Sequence, residues 1–146
     1  MIKKLTIASL LFLAACSNKI ETDTSLKETD KAYIRSLHLL DREETIKKFY
    51  SQFKNKAGGN FITNKRIAAY WINERDKSKN TTNFAYYPDI IAIDTIYNVD
   101  FTYNPYLIIT RTDSTRFNVY VGGKHNDIKA FFEDAISTWK HHKREK

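Results

Sequence analysis

The chain has 146 residues, a formal net charge of +7, 42% hydrophobic residues, and aromatics in quantity (Tyr 9, Phe 9, Trp 2). That is one domain's worth of chain with enough apolar content for a core, and the low counts of glycine (4) and proline (2) argue against extended disorder. The single cysteine rules out an intramolecular disulfide and any cysteine-rich metal centre, so stability must come from packing.

The N-terminus reads as a secretory signal. Lys3 and Lys4 supply positive charge, and Leu5 to Leu13 are apolar apart from Thr6 and Ser9. The run is shorter than the about 20 apolar residues a membrane-spanning helix needs. Small residues follow, then Cys16. The stretch Leu13-Ala14-Ala15-Cys16 resembles the lipobox of bacterial lipoproteins, over residues 1–16 only. That resemblance implies removal of a signal peptide at 1–15, lipidation of Cys16 with a diacylglycerol thioether and a further acyl chain such as palmitate, and anchoring in a cell membrane. Each buried methylene contributes ~0.8 kcal/mol, and more than one chain gives persistent anchoring. Ser17, where the enterobacterial sorting pattern places Asp for inner-membrane retention, favours the outer membrane.

Residues 16–30 are expected to form the lipidated Cys and a polar tether, and 31–146 a single domain. Residues 31–40 are ambiguous, with Tyr33, Leu37 and Leu40 suiting a helix face. Asp41 followed three residues later by Glu44 reads as a capping-box start. Ile46, Phe49, Tyr50 and Phe53 then recur with helical spacing, which predicts a helix over 42–54 stopped by Gly58-Gly59. Thr63 reads as the N-cap of a second helix carrying Ile67, Tyr70 and Trp71. Asp76 to Asn83 reads as a loop. Residues 84–121 are rich in β-favouring types and break at Asn104-Pro105 and Asp113-Ser114, predicting an antiparallel meander that includes 106–112 and 116–121. Ile128, Phe131, Phe132, Ala135, Ile136 and Trp139 form an apolar stripe, which predicts a helix over 127–141 with a basic end that suits the helix dipole.

The expected fold class is therefore α+β: an antiparallel sheet of about three to four strands, with two N-terminal helices and one C-terminal helix packed on one face. A helical pair before a curved sheet resembles NTF2-like domains, although a helix closes this chain where those domains continue with strands.

Gly122-Gly123-Lys124-His125 leads from a strand into a helix N-terminus. Such a turn serves either as a tight connection or, through free N–H groups, as an anion site. His125 with Asp127, Asp94 or Asp100 is the available acid–base combination, but no nucleophile motif or metal-ligand spacing accompanies it. His141-His142 point in different directions on a helix and belong to a basic tail that suits anionic headgroups. Trp71 and Trp139 are expected in the core. Phe84, Tyr86, Tyr87, Phe101, Tyr103 and Tyr106 are candidates for a recognition surface.

The expected function is a membrane-anchored, non-enzymatic binding or accessory protein of the cell envelope, with an inhibitor or immunity protein as one version. The alternative is a small enzyme or ligand-binding NTF2-like domain with a pocket near His125. No cofactor and no metal are expected. The expected partners are the bilayer, through Cys16, and a protein or envelope polymer; the export signal directs the basic charge away from nucleic acid.

Overall fold

The computed structural model describes residues 19–145. Strand β1 (Ile46–Tyr50) lies where the helical spacing predicts the first helix. Its pairing with β2 (Gly58–Thr63) runs Ile46 opposite Thr63, Lys48 opposite Ile62, and Phe49 opposite Phe61, so β1 carries one extra residue at Lys47–Lys48. This bulge resets the alternation. Ile46 and Phe49 fall on one face of the sheet and Tyr50 on the other, and all three are buried. Spacings of three and four, which in a helix mean one face, here arise from a bulged strand covered on both sides.

The second expected helix is the hairpin of β2 with β3 (Arg66–Trp71). Thr63 does accept hydrogen bonds from the N–H groups of Lys65 and Arg66 (both 2.9 Å), but these close a β-turn. The expected helix stop at Gly58-Gly59 opens β2 instead. Gly59 lies opposite Tyr70, and a Cβ there would sit 2.6 Å from both the Phe49 and Tyr70 rings. The α+β arrangement with two N-terminal helices is thus overturned. Among the described residues the chain is mainly β, with one short helix, α1 (Glu28–Ser36), and one C-terminal helix, α2 (His125–Arg144).

A four-stranded antiparallel sheet has the order β1-β2-β3-β4, with β4 at Thr81–Tyr86. A 3-10 turn at Tyr87–Asp89 leads to a three-stranded antiparallel sheet of β5 (Ile90–Ile96), β6 (Tyr106–Arg111) and β7 (Arg116–Tyr120). The larger core lies between the sheets and α2, and contains Ile62, Ile67, Leu107, Ile109, Val119, Phe131 and Phe132. Burying each of the two phenylalanines contributes about 2–3 kcal/mol. Trp139 docks the helix by donating to the Ile90 carbonyl (3.0 Å).

A second core covers the outer face of the first sheet, where Leu26, Ile34, Leu39 and Leu40 meet Phe49, Phe61 and Tyr70. Glu21 pairs with Phe49 through two backbone hydrogen bonds of 2.8 Å, adding a short extended piece to the free edge of β1. The segment expected as a tether over 16–30 is therefore packed against the domain from Glu21 onward. Among the described residues, no helix is long and apolar enough to cross a membrane.

A buried ion pair fastens this outer layer. Arg66 is 1% exposed and Glu44 3%. The Glu44 carboxylate accepts from Arg66 Nε (2.9 Å) and Nη2 (2.7 Å), from Thr63 Oγ1 (2.5 Å) and from the Asp41 N–H (2.9 Å). Asp41 lies 3.1 Å from Arg66 Nη2, and the rings of Phe84 and Tyr86 lie beneath the guanidinium at 5.1 and 4.8 Å. Burial works against the Arg66 charge, but the hydrogen bonds and charge of Glu44 outweigh it, so the Arg66 pKa is raised.

Candidate functional site

Cys16, the expected lipidation site, lies outside the described residues. The Gly122-Gly123-Lys124-His125 turn does lead from β7 into α2. Gly123 has φ 117°, and Gly122 packs so closely on the Tyr50 hydroxyl and Asn104 that no Cβ would fit. Gly123 is accounted for by its backbone conformation and Gly122 by this close packing. The hollow beside them, about 490 Å³, brings Lys19, Lys48 and Lys124 near the helix start, with Asp127 in the same wall.

His125 does not line that hollow. It is exposed, with its ring 5.9 Å from that of Tyr97. Asp94 and Asp100 are exposed on and after β5, and neither is hydrogen-bonded to His125. His142 donates from Nδ1–H to the Thr138 carbonyl (2.9 Å) and stacks on Tyr87 (4.7 Å), while His141 lies 3.2 Å from Glu145. Among the described residues, no cluster of three or more His, Cys, Asp or Glu is arranged to hold a metal.

The expected aromatic surface divides. Tyr87 is fully buried and donates to the Thr63 carbonyl (2.6 Å); burial pushes its pKa up. Phe84 and Tyr86 are taken up by the Arg66 guanidinium. Tyr106 packs on Tyr120 (5.2 Å). Phe101 and Tyr103 stand exposed in the β5–β6 loop. These residues do not form one patch.

An organised concavity lies instead between the sheets, at the end of the sandwich where the apolar core gives way. On the inner face of the first sheet, the row Ile62–Ile67–Ala85 belongs to the core. The next row is Tyr50–Asn60–Ala69–Asn83, and the one beyond is Gly58–Trp71–Thr81. Apolar residues are thus replaced by amides around the small Ala69. Gly58 leaves space for the Trp71 indole, whose Cε3 would be 3.2 Å from a Cβ there. The result is a cleft of about 530 Å³, closed on the other side by β7 with Arg116, Asn118 and Tyr120. Gln52 and Asn104 add two more amides to its wall.

Internal bonds fix these amides. Asn60 Oδ1 accepts from the Tyr120 N–H (2.9 Å). Asn83 Oδ1 accepts from Arg111 Nη2 (3.4 Å), and Asn118 Nδ2 donates to the Tyr120 hydroxyl (3.0 Å). Asn104 Nδ2 donates to Gln52 Oε1 (3.2 Å). At the rim, Phe53 packs edge-on against Trp71, with centroids 5.4 Å apart. Trp71, expected in the core, is 41% exposed. Among the described residues, Arg116 is the one formally charged member of the cleft's lining.

Sequence reasoning missed this site. The signal was present as asparagine within three strands: Asn60 in GGNFIT, Asn83 in TTNFAY and Asn118 in RFNVY. Asparagine is depleted in strands, so each marks a position with another purpose.

No protein-family model matches the chain, and no curated protein matches it by sequence. Among solved structures, it is similar to a DUF1696 family protein with a pleckstrin-homology domain from Shewanella loihica PV-4. The two are 12% identical with a TM-score of 0.51, over 80% of this chain and 97% of that one. The shared feature is the fold. At this identity the likeness carries no activity or ligand from one chain to the other.

Proposed function

We propose that the protein is a non-enzymatic binding module of the bacterial cell envelope, held on a membrane by an acylated Cys16, with the inter-sheet cleft as its recognition surface. The observation that carries this reading is the cleft itself: a concavity lined by side-chain amides and an exposed tryptophan, each held from behind by internal contacts. Sites built this way select by hydrogen-bond pattern and shape. The lipobox-like Leu13-Ala14-Ala15-Cys16 supports the anchor, and Ser17 favours the outer membrane as its destination. An inhibitor or immunity protein is one form such a module takes. Exposed His125, outside the cleft and without a bonded carboxylate, leaves the enzymatic alternative without a supporting observation.

Two measurements test the proposal. Cells given labelled palmitate should label the wild-type protein and not Cys16→Ser. Cross-linking capture from native envelopes should recover a partner, protein or polymer, that is reduced by Trp71→Ala. Equal labelling of the two proteins removes the anchor; capture unchanged by Trp71→Ala removes the cleft.

A further inference from the structure

We infer that the cleft between the sheets binds a segment of oligosaccharide; the inference rests on the proposed reading of the cleft as a recognition surface and names its ligand class. The hydrogen-bonding ends left over in the cleft define what fits. The Oδ1 atoms of Asn60 and Asn83 are engaged internally, so both NH₂ groups are left as donors without a protein partner among the described residues. Gln52, whose Oε1 is engaged by Asn104, adds a third NH₂ group. Asn118 is tied in the opposite sense, through Nδ2, and leaves its carbonyl oxygen as an acceptor. A ligand group that satisfies both kinds must donate and accept, and a hydroxyl does so. A row of hydroxyls on a ring is the repeating chemistry of a sugar chain.

The other face of a sugar ring is a patch of C–H groups, which packs on an aromatic surface. Trp71 provides that surface at the rim, steadied by Phe53, with the Tyr120 ring on the opposite wall. Among the described residues the lining contains no carboxylate and a single cation, Arg116. This balance suits a neutral chain or one carrying an occasional acidic substituent, and gives no purchase to a polycation.

A peptide is the competing occupant, and the backbone argues against it. The floor of the cleft is the face of β2 and β3, whose N–H and C=O groups are spent on their neighbouring strands, and on the edge strand β4 the Phe84 carbonyl is taken by Arg111 Nε (3.0 Å). Strand β7 is an edge, but its Tyr120 N–H is occupied by Asn60. An extended peptide therefore finds a strand edge blocked at the cleft and would have to be read by side chains alone.

The test is a tryptophan-emission titration of the full-length protein in a zwitterionic detergent, chosen to avoid sugar headgroups. The probes are maltohexaose, cellohexaose, the hexamer of N-acetylglucosamine and hexagalacturonate. Trp139, bonded to the Ile90 carbonyl at the other end of the domain, provides a constant background. At least one probe should produce a saturable change. That change should vanish in Trp71→Ala, and the affinity should fall at least tenfold in Asn83→Ala and Asn118→Ala, with circular dichroism unchanged. Half-exposed Asn83 and Asn118 provide two variants that do not disturb the core, should Trp71→Ala lose its fold. No saturable change with any probe, or binding indifferent to the asparagine variants, overturns the oligosaccharide assignment. If that happens while Trp71→Ala still abolishes capture of a protein partner, the cleft remains the recognition surface and its occupant is a peptide. If neither measurement responds, both readings fall.

Discussion

Removing the Glu44 carboxylate strands the buried Arg66 charge. In Glu44→Ala, Arg66 keeps the Asp41 carboxylate at 3.1 Å, itself half exposed, the His38 carbonyl at 3.3 Å, and the rings of Phe84 and Tyr86. Thr63 loses its 2.5 Å acceptor, and the Asp41 N–H loses its own. Breaking one side of a buried ion pair costs about 3–5 kcal/mol, because the partner's charge stays buried without compensation. Asp41 can absorb part of this, which places the expectation near the lower end, about 3 kcal/mol. Typical domains are stable by only about 5–15 kcal/mol, so the loss is a large share. With a urea slope of about 1–3 kcal/mol per molar, the unfolding midpoint should drop by roughly 1 M or more. Glu44→Gln keeps the shape and should cost about 2 kcal/mol, the worth of a hydrogen bond to a charged group. The double variant Glu44→Leu with Arg66→Met removes both charges and should come back to within about 1–2 kcal/mol of wild type. A Glu44→Ala protein within about 1 kcal/mol of wild type, or a double variant as unstable as the sum of its singles, would refute the account of Arg66 as a charge that needs its partner.

Three further outcomes rest on the geometry. Gly59→Ala places a Cβ 2.6 Å from two rings and should destabilise by about 1–3 kcal/mol, measured by thermal unfolding; a neutral result would mean that Phe49 and Tyr70 move aside freely. Burial raises the pKa values of Tyr70 and Tyr87, so the fold favours their neutral forms. That contribution is fully present below the unfolded-state value of about 10 and is lost as pH rises above it. Urea midpoints should therefore decline above about pH 10, and less steeply in Tyr87→Phe; an unchanged slope in that variant would assign the decline to other groups. His38 (φ 60°) and Ser114 (φ 69°) occupy the left-handed region, where a Cβ costs about 1–2 kcal/mol. Glycine at either place should raise stability by up to about 1 kcal/mol, after the entropy of a freer unfolded chain is subtracted; lower melting temperatures in both variants would contradict this.

Helix α2 was legible from its apolar stripe, β7 because it alternates cleanly, and β6 because its β-favouring run is bounded by the turn residues at Asn104-Pro105 and Asp113-Ser114. The first half misled because its sheet is buried on both faces and β1 is bulged, so apolar residues recur at intervals that a helix also produces. The local hydrogen-bonding signals there were sound. Glu44 does reach back to the Asp41 N–H, and Thr63 does cap the N–H groups after it, but both close turns. Whether a capped turn continues into helix or strand depends on tertiary partners that a sequence window does not contain. The cleft was hidden for a similar reason. Asn60, Asn83 and Asn118 come from three strands, and only the pairing of β2, β3 and β4, with β7 packed across from them, makes them neighbours.

The pairing of Glu21 with Phe49 gives the domain a defined mechanical entry point. Tension arriving along the chain from the N-terminal side first meets two backbone hydrogen bonds on the outer edge of β1, then the Asp23–Ile46 contacts, and only then Leu26 and α1. This edge can yield and lengthen the chain by several residues, at about 3.3–3.6 Å each, before the strain reaches β2, β3, β4 and β7. A pull on this end is therefore expected to spend itself first on the edge of β1, before it reaches the face of the sheet that lines the cleft.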